Sequence, residues 1–167
     1  MKKKDINKDN ALKADLQRNN LDGSDSPYLR QHRDNPVWWQ EWSPEVLQEA
    51  IRQDRPLFVS VGYSTCHWCH VMAGEAFSDP GTAEFFNQNF ICIKVDRETR
   101  PDIDQYLMHF IQAQSGSGGW PLNVFLTPDQ RPVFALTYAP AREQRGMQPL
   151  LFIAQKVLEY IRAHGAA

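Results

Sequence analysis

Two cysteines separated by two residues constrain the fold of this chain more than any other feature. Cys66 and Cys69 follow a short apolar run, residues 57–61, which has the length and composition of a buried strand. Ser64 and Thr65, just before the pair, are typical helix-capping residues, so we expect a helix to open around Cys66. The pattern predicts a strand, a short loop and a helix whose N-terminus carries both thiols.

The expected position at a helix N-terminus gives the pair a specific chemistry. Free N–H groups and the helix dipole favour a thiolate at Cys66, and thiols in such motifs have a pKa of roughly 3.5–7.5. Cys69 lies one turn further on and can resolve a mixed disulfide formed by Cys66. His67, when protonated, would stabilise the thiolate further, and Trp68 would shield Cys69 and shape the substrate face.

Three other interpretations of the pair remain open from the residues alone. Cys66, Cys69 and His70 match the c-type haem attachment pattern, which normally requires export. The same residues with His67 could form part of a zinc site, although no second CxxC or HxxxH supplies further ligands. The pair could also be inert and structural. We favour redox chemistry, with no metal and no cofactor.

Composition sets the broad class of the protein. The length of 167 residues corresponds to one domain, and three cysteines are too few for a disulfide scaffold. A net charge of -2 argues against a nucleic-acid partner. No apolar run could span a bilayer and no signal sequence follows the basic start, so we expect no membrane association and a cytoplasmic location. Cys92, in an apolar run, is expected to be an inert core thiol.

The chain divides into a polar start and a folded remainder. Residues 1–25 are predicted to be a flexible tail, and residues 26–167 a single domain. Any strand before the first helix is short and lies within residues 28–42. The later pattern alternates helices with strands and ends in a hairpin, residues 122–126 and 133–137, followed by a helix. We therefore predict an α/β fold with a mixed central sheet and helices on both faces.

Trp120-Pro121 is a second candidate element of the site. It follows Gly118 and Gly119 and precedes a predicted strand. A proline at the first residue of a strand is tolerated, and this one is a candidate cis-proline. An ordinary trans proline in a loop is the alternative.

Taken together, these features resemble the thioredoxin fold. A more specific resemblance is to the thioredoxin-like domain of the spermatogenesis-associated thioredoxin-like protein family. It is carried by residues 63–72 (YSTCHWCHVM), 94–98 (KVDRE), 100–104 (RPDID) and 118–129 (GGWPLNVFLTPD). The resemblance implies disulfide exchange with protein or small-molecule thiols through Cys66 and Cys69. It also implies that Trp120 offers its backbone to an extended peptide.

Two of the chain's departures, one from this family and one from thioredoxins, bear on its function. Proteins of the family are usually much longer, with a helical toroid after this domain, so we expect either a stand-alone member or a fragment. Thioredoxins carry a buried aspartate six residues before the first cysteine, where this chain has Ser60. Either another group, such as His67, His70 or a water, moves the proton, or exchange is slow. A non-catalytic binding or redox-sensing module is therefore the alternative function.

Two further features have a structural interpretation. His32 is expected to be a hydrogen-bonded structural histidine. Charged residues near a predicted helix start are expected to pair with one another; they are Asp96, Arg97, Asp102 and Asp104.

Overall fold

The computed structural model describes residues 16–164 of the chain. Helices and strands alternate along it as the sequence predicts. In chain order the elements are α1 (Pro27–Arg30), β1 (Trp39–Gln40), α2 (Pro44–Gln53), β2 (Leu57–Gly62), α3 (His67–Gly74), α4 (Pro80–Asn89), β3 (Ile91–Asp96), α5 (Pro101–Ser115), β4 (Leu122–Leu126), β5 (Pro132–Leu136) and α6 (Leu150–His164). Two short 3-10 turns, Leu21–Gly23 and Ala76–Ser78, complete the list.

The five strands form one mixed sheet in the order β1-β3-β2-β4-β5. β1 and β2 both run parallel to β3, whereas β4 is antiparallel to β2 and β5 is antiparallel to β4. The predicted hairpin is therefore β4–β5, and the short strand expected within residues 28–42 is β1, which precedes α2. This topology confirms the predicted mixed sheet with a C-terminal hairpin and helix.

Helices cover both faces of the sheet, because residues along a strand point alternately to opposite faces. On one face, Phe58 and Phe125 pack with buried residues of α3, α4 and α6. On the other face, Val59 and Val124 pack with buried residues of α2 and α5. The site described below lies over the first of these faces, because α3 belongs to it.

Three helices begin in the same way, with a capping side chain followed by proline. Ser43 Oγ accepts a hydrogen bond from the N–H of Val46, and Asp79 Oδ2 accepts one from the N–H of Thr82. Ser26 caps α1 in this way, so the chain is fixed just before Tyr28. The longest helices have 15 residues, and in the described part of the chain none is long and apolar enough to cross a membrane.

The segment before α1 packs on the domain from residue 16 onward. Leu21 is fully buried in the core, and Asn20 Nδ2 donates a 2.6 Å hydrogen bond to Gln40 Oε1 in β1. Ordered packing thus begins earlier than the predicted boundary at residue 26. The sparse leucines of this segment have no helical or strand periodicity, so sequence patterning did not indicate their burial. The first 15 residues of the predicted tail lie outside the described range.

Candidate functional site

The cysteine pair lies at the N-terminus of α3, at the strand-to-helix junction that the sequence predicts. Cys66 is the N-cap residue, and its Sγ accepts a hydrogen bond from the N–H of Cys69 at 3.3 Å. The two residues are joined by a disulfide, with their Cα atoms 5.3 Å apart. The Cys66 sulfur therefore lies where free backbone N–H groups and the helix dipole favour negative charge.

Both cysteines of the disulfide are buried, Cys66 at 4% exposure and Cys69 completely. Cys66 is thus the member of the pair that lies at the helix terminus and retains some exposed surface. The third cysteine, Cys92, is a free thiol buried in β3, and burial raises its pKa far above the usual range, in agreement with the prediction of an inert core thiol.

His67 and Trp68 form the exposed rim of the site. Trp68 is 53% exposed, and its ring lies 5.4 Å from that of His67 and 5.2 Å from that of Tyr138. The Tyr138 hydroxyl donates a hydrogen bond to the Glu75 carboxylate. Burial and this bond raise the pKa of Tyr138 to about 12. The rim is therefore an aromatic surface fixed to the helix that carries the pair.

His70 is bound to the loop before the helix. Its Nε2 lies 2.7 Å from the carbonyl oxygen of Ser64, which requires the imidazole to donate. The two sulfurs that the haem and zinc interpretations would use are bonded to each other. Among residues 16–164, no group of three or more His, Cys, Asp or Glu side chains is placed to hold a metal ion.

The Trp120-Pro121 peptide bond is cis, as the sequence suggested. Three contacts fix the Trp120 side chain. Its Nε1 donates to Asp104 Oδ1 at 2.8 Å, and its ring packs 4.2 Å from the Arg97 guanidinium. Its ring also meets that of Tyr63 edge-on at 5.8 Å, which places it beside the loop that leads into α3. The structure thus brings Trp120 to the site, and Arg97 and Asp104 pair at 3.5 Å, as expected.

A row of buried polar side chains crosses the sheet on the face that α3 covers, and sequence reasoning missed it. Ser60 of β2 is in register with Lys94 of β3 and with Asn123 of β4. Asn123 Nδ2 donates to the carbonyl of Thr137 at 2.6 Å and lies 3.4 Å from Met72 Sδ in α3. A lysine inside an apolar strand was the one signal of this row.

Two aromatic residues from the N-terminal part of the described chain are also buried near the cysteine pair. Tyr28 and His32 are fully buried, with their rings 4.7 Å apart in an edge-on contact. Neither ring nitrogen of His32 has a hydrogen-bond partner within residues 16–164, so the expectation of a hydrogen-bonded histidine is wrong. Burial, with the nearby charges of Lys94 and His70, lowers the pKa of His32 to about 2. His32 is therefore neutral at physiological pH.

Comparison with known sequences identifies the family. A family model labelled Thioredox_DsbH, described as "Protein of unknown function, DUF255", matches residues 18–166. "Uncharacterized protein B0495.5" of Caenorhabditis elegans is 53% identical over 130 residues, which cover 78% of this chain and 18% of that protein. Mouse "Spermatogenesis-associated protein 20" is 50% identical over 125 residues, covering 75% of this chain and 16% of the relative. The chain spans less than a fifth of either relative.

Solved structures agree on the fold. "DsbH Oxidoreductase" aligns with a TM-score of 0.53 at 16% identity, covering 74% of this chain and 85% of that one. A putative disulphide-isomerase from Bacteroides thetaiotaomicron aligns with a TM-score of 0.55 at 23% identity, covering 75% and 95%. Sequence identities this low support a shared fold and nothing about function. The chain therefore belongs to the DUF255 family and is a thioredoxin-like domain, related in sequence to a segment of spermatogenesis-associated protein 20.

Proposed function

We propose that the domain is a thiol–disulfide oxidoreductase in which Cys66 attacks and Cys69 resolves. The observation that carries this proposal is the placement of Cys66 Sγ. It caps α3, accepts the Cys69 N–H at 3.3 Å and is already bonded to its partner sulfur. A thiolate there is stabilised by the helix terminus, and a thiolate is the form that attacks a disulfide.

In the reducing direction, the Cys66 thiolate attacks one sulfur of a substrate disulfide. A bond forms between Cys66 Sγ and that sulfur, and the other substrate sulfur leaves as a thiolate that takes up a proton. The Cys69 sulfur then attacks Cys66 Sγ, which forms the intramolecular disulfide and releases the second substrate thiol. Two electrons pass from the protein dithiol to the substrate, and the reverse sequence oxidises a substrate dithiol.

The expected substrates are protein or small-molecule disulfides. The exposed ring of Trp68 and the partly buried ring of Tyr138 support a peptide substrate, because they give the surface beside the pair an amphipathic character. Trp120 Nε1 is already bonded to Asp104, so this indole does not need a substrate partner. We propose that Trp120 shapes the surface and that its backbone meets the substrate.

A redox-sensing or binding module is the second candidate, and one observation favours it. Position 60, where thioredoxins place a buried acid, holds a serine bonded to Lys94. The proton of Cys69 then has no carboxylate acceptor at that position. In this alternative the disulfide would form and break slowly in response to the surrounding thiol pool, without turnover.

Insulin reduction separates the two candidates. The purified domain is assayed with dithiothreitol as electron donor, beside Cys66→Ser, Cys69→Ser and the matched control Cys92→Ala. We expect the wild type and Cys92→Ala to accelerate reduction, and the other two variants to fall to the uncatalysed rate. Activity that survives Cys66→Ser would reject the assigned nucleophile. A wild type with no activity and a reversible disulfide would favour the sensor.

A further inference from the structure

The hydroxyl of Tyr28 is buried and has no hydrogen-bond partner in the described part of the chain. The ring is held firmly, since its backbone lies in the capped helix α1 and its edge meets His32. Buried polar atoms are nearly always paired in native proteins. An orphan hydroxyl in a rigid setting therefore points to a partner that appears in another state of the protein.

That hydroxyl lies beside the buried sulfur of the cysteine pair. A Cβ atom added to Gly62, the last residue of β2, would be 2.2 Å from Tyr28 Oη and 2.7 Å from Cys69 Sγ. Both atoms therefore crowd the same glycine and lie within a few ångströms of each other. In the oxidised protein this sulfur is part of a disulfide and is a weak acceptor, whereas a thiolate accepts strongly.

We propose that the Tyr28 hydroxyl donates a hydrogen bond to Cys69 Sγ when the disulfide is reduced, and so stabilises the thiolate that resolves the mixed disulfide. The inference rests on the redox role proposed for the pair. Tyr28 does not act as the base that removes the Cys69 proton. The proton lost by Cys69 leaves with the departing substrate sulfur, and the Cys69 electrons form the new bond to Cys66 Sγ.

The groups around Tyr28 keep its hydroxyl protonated. Burial raises the pKa of Tyr28 far above its usual range, and the charge of Asp96 raises it further. Lys94 Nζ lies 5.9 Å from the centre of the Tyr28 ring, and His32 is neutral. Asp96 accepts a 2.7 Å hydrogen bond from Ser26, two residues before Tyr28. The hydroxyl is therefore a donor over the whole range in which a thiol titrates.

A pH titration of Cys69 tests the proposal directly. In a Cys66→Ser background, the Cβ resonance of Cys69 is followed by NMR, with and without Tyr28→Phe. A hydrogen bond to a charged acceptor is strong enough that its loss should raise the titration midpoint by about one pH unit or more. The matched control Tyr160→Phe, on the exposed side of α6, should leave the midpoint unchanged.

Two results would overturn the proposal. One is a midpoint that Tyr28→Phe does not move. The other is a Cys69 that remains a thiol up to about pH 10 in the parent protein, well above the usual pKa of about 8.5, since then no thiolate is stabilised. Neither measurement requires turnover. A shifted midpoint in a protein that fails to reduce insulin would keep this inference and reject the proposed function.

A second readout uses the unmutated protein, in case Tyr28→Phe does not fold. The wild type is labelled at tyrosine Cζ, whose chemical shift reports hydrogen bonding of the hydroxyl. We expect the Tyr28 resonance to move on reduction while that of Tyr160 stays. A Tyr28 resonance that is the same in both redox states would contradict the proposal.

Discussion

Lys94 Nζ donates a 2.9 Å hydrogen bond to Ser60 Oγ in the buried layer of the sheet. Both side chains are buried, and they are register partners on adjacent parallel strands. The ammonium also lies 5.0 Å and 4.6 Å from the ring centres of Trp39 and Phe77. No carboxylate bonds to it in the described chain, and burial lowers the pKa of Lys94 to about 7.

This burial predicts a specific dependence of stability on pH. The pKa of Lys94 rises from about 7 in the folded protein to 10.5 in the unfolded chain, so unfolding takes up a proton between these values. The free energy of unfolding should then increase with pH across this window, by up to about 1.4 kcal/mol per pH unit. The Lys94→Met variant should lack the increase.

Urea denaturation at several pH values gives the free energy of unfolding of the wild type and of Lys94→Met. Their difference at each pH isolates the effect of Lys94, because the contributions of the other titratable groups cancel. Lys156→Met, on exposed α6, is the matched control and should follow the wild type. Parallel pH profiles for wild type and Lys94→Met would show that Lys94 does not titrate in this window.

The close approach at Gly62 predicts that even a methyl group is not tolerated there. A Cβ would lie 2.2 Å from Tyr28 Oη, so Gly62→Ala must displace the tyrosine or the disulfide. We expect it to lower the free energy of unfolding by roughly 1–3 kcal/mol. Gly74→Ala is the matched control. No heavy atom lies near its added Cβ, and it should raise stability by about 0.5–1 kcal/mol. If Gly62→Ala has the same unfolding midpoint in denaturant as the wild type, Tyr28 and the disulfide do not pack closely against Gly62.

The contacts of Trp120 predict a large effect at Asp104. Asp104 is buried, accepts from Trp120 Nε1 at 2.8 Å and pairs with Arg97. Asp104→Ala leaves Trp120 Nε1 without its acceptor and Arg97 without its ion-pair partner, and should reduce stability by roughly 3 kcal/mol or more. Asp102→Ala removes only an exposed ion pair with Arg100 and should leave stability nearly unchanged.

Tryptophan fluorescence and thermal unfolding together check this prediction, because release of the Trp120 indole to solvent should shift its emission to longer wavelength. Equal losses of stability in Asp104→Ala and Asp102→Ala would mean that the bond to Trp120 does not hold the indole.

The parts of the fold that the sequence predicts are those with a local signature. The helix start near Cys66 is predicted from Ser64 and Thr65, although the residue that caps α3 is Cys66 itself. The β4–β5 hairpin is predicted from two apolar runs close together in the chain. The cis bond before Pro121 was one of two alternatives, and the structure selects it. These features depend on residues close together in the chain, so a single sequence is sufficient to propose them.

The buried polar groups depend on contacts between distant segments, and the sequence does not contain those distances. Tyr28 and Cys69 come close to the same residue, Gly62, only because α1 and α3 both pack at the end of β2. Lys94 meets Ser60 through the parallel register of two strands that are separated by two helices. Local patterning supplies no partner for either residue.

The reduction potential of the Cys66–Cys69 pair tests the central claim most directly. The domain is equilibrated in glutathione buffers of defined potential, and the fraction of disulfide is read by alkylation and mass spectrometry. An exchange-active pair should have a potential between roughly -270 and -120 mV, as other CxxC oxidoreductases do. A potential below about -300 mV would mark a structural disulfide and contradict the account.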